Sequence, residues 1–314
     1  MSEACSKPLC WTPRQLAEAS LGATAVVCLE FHRAAIAQLL SGALFLEIGA
    51  EPPEGVATLV VAGGGQLLDW GKLWRHEQSP RSRLIAIPTL WGSGAECSPV
   101  AIRNTEVGKE IHVGEEYLPD IRVLWPELGA SVPAAVAKYA CGDVWSHALE
   151  AFVSPLASKE QRQELAGLIN QMLELPFGYD PRWFEASAAA CRLQAASGVG
   201  LVHGIAHTLE APLHKEHPQS DWGHAKLCAV FLLPVLRFNL AHSPKFTNYA
   251  AEFGVDAGAV LAVARRLFEP ESYAEAMTLV PAQWTAIARD RCSRMNHVLV
   301  RASAVEFFKE FKAE

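Results

Sequence analysis

The pattern of hydrophobic and polar positions divides the chain into two parts. Up to about residue 130, short β-rich apolar runs alternate with helical or loop segments. The runs predict strands at residues 25–30, 43–48, 56–62, 84–87 and 121–124, with helices at 32–40 and 67–75. Strands that alternate with helices indicate a parallel α/β sheet.

In the second part, the strand pattern stops after residues 126–133 and long Ala- and Leu-rich segments follow. These segments predict helices at residues 133–152, 161–173, 183–202, 224–240, 258–268 and from 281 to the end. We therefore expect an α/β domain over residues 1–130 and an all-helical domain over residues 131–314. The boundary is expected to be a hinge loop, and a cleft between two such domains is a usual place for a ligand site.

Composition excludes several classes of protein. The 314 residues carry 27 Lys and Arg against 34 Asp and Glu, a formal charge of -7, without a basic block to neutralise nucleic-acid phosphates. The longest clean apolar stretch, residues 227–236, is too short to cross a bilayer, and residues 1–13 lack the features of a signal peptide. We expect a cytoplasmic protein with no nucleic-acid or membrane partner.

The cysteines do not suggest a disulfide framework. They number eight, at positions 5, 10, 28, 97, 141, 191, 228 and 292, and none forms a CxxC pair. In a chain of this length such scattered cysteines are typical of reduced thiols in the core or at the surface. Ordinary packing is therefore the expectation for all of them.

Two glycine-rich turns follow predicted strands. The first is Gly63-Gly64-Gly65 and the second spans residues 88–96, with Gly92, Ser93 and Gly94 at its centre. Glycine lets the backbone approach a pyrophosphate closely, and a helix N-terminus presents free N–H groups to it. Because parallel strands end at one edge of a sheet, the two turns together favour a nucleotide site over plain turns.

The predicted helical domain holds a cluster of metal-ligand residues. Asp143 and His147 lie four residues apart, as do His203 and His207, so each pair shares one helix face. Five of the 11 histidines fall between residues 203 and 224. Imidazole nitrogens with one carboxylate oxygen suit Zn²⁺ or Fe²⁺ better than Mg²⁺ or Ca²⁺.

Four motifs occur in order, at residues 63–72, 88–96, 143–152 and 203–207. Together they resemble the iron-containing (group III) alcohol dehydrogenases, over roughly residues 20 to 245. The resemblance implies a dehydroquinate synthase-like fold: an N-terminal NAD(P)-binding α/β domain, shortened here between Glu30 and Gly63, and an all-α C-terminal metal-binding domain.

The resemblance also implies roles for individual residues. Asp143, His147 and His203 would be metal ligands, and the fourth would be His224 or His217, with His224 favoured because it precedes an apolar helix. His207 matches a histidine that assists proton transfer near the nicotinamide. The implied cofactor-binding residues are Glu30, Gly63, Gly64, Gly65, Asp69, Thr89, Gly92 and Ser93. An acid at Glu30 would favour NAD over NADP by repelling a 2′-phosphate.

The function implied is a metal-dependent, NAD(P)H-linked oxidoreductase that interconverts an alcohol and an aldehyde or ketone. It would use Fe²⁺ or Zn²⁺ on a small-molecule substrate, with a small aldehyde such as phosphonoacetaldehyde as one example, and a homodimer is one expectation for its assembly. Trp91 and Trp145 replace small residues and are expected to border the pocket. The alternatives are a noncatalytic metal-binding scaffold, because the nucleotide half is short, and a sugar-phosphate cyclase, which the few basic residues near the histidines disfavour.

Overall fold

The chain forms two compact units that divide between Val132 and Pro133. The structure, a computed structural model, describes residues 7–105 and 108–312. Cys5 lies outside the described residues, and the other cysteines are all free thiols. Below, unit 1 is the part before Pro133 and unit 2 is the part from Pro133 onward.

Unit 1 is an α/β unit built on a parallel sheet. Its described strands are β1 (Leu9–Trp11), β2 (Thr24–Cys28), β3 (Leu44–Leu46), β4 (Thr58–Gly63), β5 (Arg83–Pro88), β6 (Val100–Thr105), β7 (Gly108–Val113) and β8 (Ile121–Val123). Six of them pair in the order β1-β8-β5-β4-β2-β3, all parallel, and β6 and β7 form a separate antiparallel pair. The predicted parallel sheet is confirmed, whereas β1, β6 and β7 were not predicted.

The helices of unit 1 are α1 (Pro13–Glu18), α2 (Glu30–Leu39) and α3 (Gly65–Gln78). Alternate residues of the central strands enter two separate apolar clusters. Val26 and Val60 belong to one, and Val27 and Val61 belong to the other, all fully buried. A parallel sheet that is buried on both faces has continuous apolar strands, which is why the short runs were readable in the sequence.

The strand order places a crossover point beside the first glycine turn. The chain runs from β2 to its neighbour β3 on one side, and then returns to β4 on the other side of β2. In open α/β sheets, ligands bind at the carboxyl ends of the strands where the order reverses. In unit 1 this edge is formed by the residues that follow β2 and β4.

Unit 2 is entirely helical over its described residues, as the sequence predicted. The helices are α4 (Ala134–Val153), α5 (Lys159–Met172), α6 (Arg182–Ser197), α7 (Leu201–Glu216), α8 (His224–His242), α9 (Lys245–Phe253), α10 (Ala257–Leu267), α11 (Pro270–Met277), α12 (Val280–Arg289), α13 (Arg291–Met295) and α14 (Val305–Glu310). Helix α4 packs against α5, α6 and α8, and α8 also packs against α7 and α10. Helices α4 and α8 therefore form the centre of the unit.

Two predicted helices are divided in the structure. The predicted helix over residues 183–202 ends at Gly198, whose φ of 79° lies in the left-handed region that favours glycine. A new helix, α7, starts at Leu201 and carries both His203 and His207. The predicted helix from residue 281 is α12, α13 and α14, and the Asp290 side chain starts α13 by accepting a hydrogen bond from the Cys292 N–H at 2.8 Å.

Among the described helices, α8 is long and apolar enough by length and composition to cross a membrane. However, 72% of its apolar window is buried within the protein. The central helix of a helical unit satisfies the same criterion, so its hydropathy is weak evidence for a membrane span.

Candidate functional site

Asp143 is a buried carboxylate surrounded by three histidines. Its Oδ1 lies 3.6 Å from Nδ1 of His147, 3.6 Å from Nε2 of His203 and 3.7 Å from Nε2 of His224. Within the described residues this oxygen has no hydrogen-bond partner. Because a buried polar atom without a partner is costly, the arrangement is suited to binding a cation.

Three helices position these groups. Helix α4 carries Asp143 and His147 one turn apart, α7 carries His203, and α8 begins at His224. Gly142 lets α4 and α8 approach closely, since a Cβ at this position would lie 2.4 Å from the Cβ of Ala229. The absence of a side chain at residue 142 therefore brings the carboxylate of α4 close to the first turn of α8.

The charges in this cluster stabilise one another. Burial by itself would raise the pKa of Asp143, but the neighbouring His147, His203 and His224 hold that pKa well below its ordinary value. Burial would likewise lower the pKa of His203, yet the polar contacts and charge of Asp143 and Glu150 raise it to about 9. Asp143 and His203 thus stabilise each other's charged forms.

The spacing of the donor atoms fits a divalent ion. Ligand bonds of about 2.0–2.2 Å in a tetrahedral site place neighbouring N and O donors roughly 3.4 Å apart. The three N···O distances, 3.6, 3.6 and 3.7 Å, are slightly longer than this value. Asp143, His147, His203 and His224 are therefore residues that could hold Zn²⁺ or Fe²⁺.

Sequence reasoning missed Glu150, a buried carboxylate behind His203. Its Oε2 lies 2.7 Å from Nδ1 of His203 and accepts the Gly200 N–H at 2.7 Å, while Oε1 accepts the Val202 N–H at 2.6 Å. One side chain therefore caps the start of α7 and orients the imidazole of His203, an arrangement that is also common behind metal-bound histidines. Its position seven residues after Asp143, on the same face of α4, was the available signal.

The structure separates the two candidates for the last ligand. Nε2 of His224 lies 3.7 Å from the Asp143 carboxylate. His217 instead follows the end of α7, where its Nδ1 pairs with Oε1 of Glu275 at 2.9 Å. The geometry therefore brings His224, and not His217, to the cluster.

His207 lies beside the cluster. Its ring stacks on that of His224, with centroids 5.2 Å apart, and is 6.1 Å from the ring of His203. Its Nδ1 is 3.7 Å from the sulfur of Cys292. A ring in this position can hold a proton close to the ligands.

In unit 1 the structure brings the two glycine turns together. The Thr89 N–H donates to the carbonyl of Gly63 at 3.1 Å. A Cβ at Gly65 would lie 2.6 Å from Oγ of Ser93, so the second turn lies directly against the start of α3.

Gly92, with a φ of 120°, requires a backbone conformation that glycine adopts readily. Gly64 faces open space, since a Cβ at this position would meet no other part of the described chain within 4 Å.

Two predicted cofactor residues have other partners. Asp69 is buried, and its Oδ1 accepts a hydrogen bond from Nζ of Lys72 at 3.0 Å. Burial raises the pKa of Asp69, and the charge of Lys72 opposes that rise. Glu30 is exposed at the first residue of α2, 3.5 Å from Arg33. Asp69 is thus a structural partner of Lys72, while Glu30 remains accessible at the edge that follows β2.

The two tryptophans expected to border a pocket are buried. Trp145 is 0% exposed and Trp91 is 2% exposed. Rings with so little accessible surface pack in the interior and offer no open face to a substrate. The expectation that they narrow an accessible pocket is therefore wrong for this structure.

A parallel α/β unit followed by a helical unit is a fold found in solved alcohol dehydrogenases. An iron-containing alcohol dehydrogenase from Thermococcus thioreducens superposes with a TM-score of 0.77 at 20% identity, covering 99% of both chains. An alcohol dehydrogenase from Oenococcus oeni gives a TM-score of 0.80 at 17% identity, covering 97% of this chain and 98% of that one. These likenesses show the fold.

Sequence relatives lead to the same class. A 1-propanol dehydrogenase of Salmonella typhimurium is 33% identical over 207 residues, 60% of this chain and 53% of that protein. An NAD-dependent methanol dehydrogenase of Bacillus methanolicus is 28% identical over 211 residues, 62% of this chain and 52% of that protein. The chain thus spans about half the length of the curated relatives it matches. No protein-family model matches it. In sequence the chain is similar to alcohol dehydrogenases, and in fold it is similar to an iron-containing alcohol dehydrogenase, which is the likeness that its motifs predicted.

Proposed function

We propose that the protein is a metal-dependent, NAD(P)-linked oxidoreductase that interconverts a small alcohol and its aldehyde or ketone. The observation that carries this proposal is the buried Oδ1 of Asp143, which has histidine nitrogens at 3.6, 3.6 and 3.7 Å and no hydrogen-bond partner in the described part of the chain. Such a donor set is suited to an ion that also binds a substrate.

Asp143, His147, His203 and His224 would hold the ion. A divalent ion bound there supplies Lewis-acid polarisation of an alcohol or carbonyl oxygen. Asp143 contributes the negative charge that offsets the ion, and Glu150 holds the ring of His203 with Nε2 directed at the carboxylate. Three helices fix these side chains, so little reorganisation is needed on binding.

The cofactor would bind at the edge of the sheet in unit 1. The turns that contain Gly63 and Ser93 lie in contact, and α3 begins at Gly65 with no side-chain cap. Backbone N–H groups at such a helix start can bind a pyrophosphate, and a reduced nicotinamide supplies hydride. Glu30, the first residue of α2 after β2, supports NAD as the preferred form, because its charge would repel a 2′-phosphate.

His207 would move the proton. Its ring stacks on His224, and its Nδ1 lies near the Cys292 sulfur, which restrains the ring orientation. A neutral imidazole can accept a proton from an alcohol, and its protonated form can return one to an alkoxide. We assign His207 this role because it lies beside the ligand cluster.

The substrates we propose are small and uncharged. Lys226, two residues after His224, is paired with Asp221. Because Asp221 neutralises the charge of Lys226, this ammonium group is not free to bind the negative charge of a phosphonate. Phosphonoacetaldehyde is therefore a weaker candidate than a simple aldehyde. The relatives named for 1-propanol and methanol support the same size class.

The test is an aldehyde panel with anaerobically prepared protein, loaded separately with Fe²⁺ or Zn²⁺ and assayed with NADH and NADPH. We expect reduction that depends on the metal, with NADH the better donor. Asp143→Ala should lose both the metal and the activity. A noncatalytic scaffold would bind metal without quenching NADH fluorescence, and metal-free protein with full activity would contradict the mechanism.

A further inference from the structure

A cysteine lies among the candidate metal ligands. Cys228 follows His224 by one turn of α8, on the same helix face, and is 0% exposed. Its sulfur lies 3.6 Å from Nε2 of His224. Donor atoms of Asp143, His203, His224 and Cys228 all lie within 4.8 Å of one another. This set of four, drawn from three helices and buried except for the half-buried His224, contains two nitrogens, one oxygen and one sulfur.

The S···N distance is the one expected for two ligands of a single ion. Zinc bonds of about 2.3 Å to sulfur and 2.0–2.1 Å to nitrogen, at a tetrahedral angle, separate the two donors by about 3.6 Å. The observed distance between Cys228 and His224 is 3.6 Å. The sulfur thus lies at a ligand-like distance from His224, among the donor atoms that also include those of Asp143 and His203.

We propose that Cys228 is a thiolate ligand of the ion held by Asp143, His203 and His224, so that the site selects Zn²⁺ over Fe²⁺. This inference rests on the proposed function only for the presence of an ion. His147, 3.6 Å from Asp143, then remains as a further nitrogen donor beside the set of four. Four protein ligands make a tetrahedral zinc site, and expansion to five-coordination leaves one position for a substrate.

The chemistry of the step is a simple exchange of a proton for a metal bond. An ordinary thiol is protonated at neutral pH, and only the thiolate binds metal. When the S–metal bond forms, the S–H bond breaks and the proton leaves to solvent, without oxidation or reduction. Soft sulfur raises the affinity for Zn²⁺ more than the affinity for Fe²⁺, which is the origin of the expected selectivity.

The experiment replaces the spectroscopically silent zinc with Co²⁺ in the full-length protein. A thiolate bound to Co²⁺ gives an intense sulfur-to-metal charge-transfer band in the near ultraviolet, which nitrogen and oxygen ligands do not give. We expect the band in the native protein and its loss in Cys228→Ser or, should the hydroxyl disturb the buried site, in Cys228→Ala. In these Cys228 variants the affinity for Zn²⁺ should fall roughly 10–100-fold, which is the loss typical when a residue that supports a metal ligand is removed. The affinity for Fe²⁺ should fall by less.

Cys292→Ser is the matched control, because Cys292 also lies close to a histidine, 3.7 Å from Nδ1 of His207. The variant should keep the charge-transfer band. Calorimetry of Zn²⁺ binding in two buffers of different ionisation enthalpy should show about one more proton released by the native protein than by Cys228→Ser, because one thiol ionises.

Several outcomes would overturn the inference. They are bound Co²⁺ without the band in the native protein, a band that survives both Cys228 substitutions, and a band lost only in Cys292→Ser. A protein that shows the band but reduces no aldehyde keeps the ligand and loses the proposed function. A metal-dependent reductase without the band keeps the proposed function and excludes Cys228 as a ligand. Failure to bind Co²⁺ or Zn²⁺ contradicts both the ligand assignment and the proposed function.

Discussion

Two buried carboxylates on one helix have different tasks. Asp143 faces three imidazoles at 3.6–3.7 Å, too far for good hydrogen bonds and close to the spacing of metal ligands. Glu150, two turns later, makes three contacts of 2.6–2.7 Å and is fully satisfied by them. The first carboxylate is therefore suited to bind an ion, whereas the second holds a ligand in place.

Replacing Glu150 should weaken metal binding without removing a ligand. Glu150→Gln keeps the shape but substitutes an NH₂ group for one accepting oxygen, so the His203 ring and the start of α7 cannot both keep their partners. We expect a roughly 10–100-fold loss of Zn²⁺ affinity, measured by competition with a chromophoric chelator. The exposed Glu160→Gln is the control and should bind zinc normally. Equal affinities for the two variants would exclude the positioning role.

His297 should make unit 2 sensitive to acid. Burial, with a smaller effect of Lys245 and against the opposing charge of Glu150, lowers the pKa of His297 to about 4. The unfolded chain therefore binds more protons than the folded chain between about pH 6.5 and pH 4, and stability falls as pH falls through that window.

We expect this histidine to remove on the order of 2 kcal/mol from the free energy of unfolding between pH 7 and pH 5. Over the same range, the free energy of unfolding of His297→Gln should fall by about 2 kcal/mol less than that of the native protein. Urea titrations at pH 7 and at pH 5 measure this difference. The exposed His214→Gln should behave like the native protein. An unchanged pH dependence in His297→Gln would show that the ring is protonated freely in the folded state.

At the scale of helices, close packing of α4 on α8 sets the geometry of the site. A Cβ at Gly142 would lie 2.4 Å from the Ala229 Cβ and 2.7 Å from its Cα, and the second of these atoms belongs to the backbone and cannot rotate away. The carboxylate next to Gly142 and the imidazole at the start of α8 are therefore brought together by a residue that has no chemistry of its own.

Gly142→Ala should consequently push the two helices apart. We expect a loss of roughly 1–3 kcal/mol of stability from overpacking, together with weaker zinc binding. Gly167→Ala on α5 is the matched control, since nothing lies within 4 Å of its new methyl group. There the better helix propensity of alanine should stabilise the protein by roughly 0.5–1 kcal/mol. Denaturant unfolding of the metal-free proteins measures both, and a neutral Gly142→Ala would contradict the packing argument.

At the scale of the whole chain, the two units are proposed to bind different ligands. The candidate metal ligands lie within α4, α7 and α8 of unit 2, and the glycine turns follow β4 and β5 of unit 1. Each ligand should therefore stabilise its own unit, because binding to the folded state alone adds about 2.7 kcal/mol at a hundredfold excess over Kd.

Hydrogen exchange on the intact chain measures this division. Saturating Zn²⁺ should slow amide exchange in α4, in α7 and at the start of α8, and saturating NADH should slow exchange in residues 63–68 and 89–96. The Asp143→Ala variant should lose the zinc effect and retain the NADH effect. If NADH slows amide exchange elsewhere in the chain but not in either glycine turn, the proposed cofactor site is wrong.

The sequence by itself determined the features that depend on local order. Apolar runs buried on both faces of a sheet predicted the central strands, and Ala- and Leu-rich segments predicted the helical unit. Spacing of four residues was enough to put Asp143 and His147 on one face of α4, because helical geometry depends only on neighbours along the chain. Weak local signals were missed: β1 has three residues, and β6 and β7 pair away from the main sheet.

Only the tertiary structure decided which distant residues meet. Three contacts join side chains from different segments: His224 with Asp143, His217 with Glu275, and Glu150 with His203. The position of the Cys228 sulfur beside His224 depends on where α8 begins. Such contacts result from side-chain packing between helices, here the close approach that Gly142 allows, and packing has no period along the sequence.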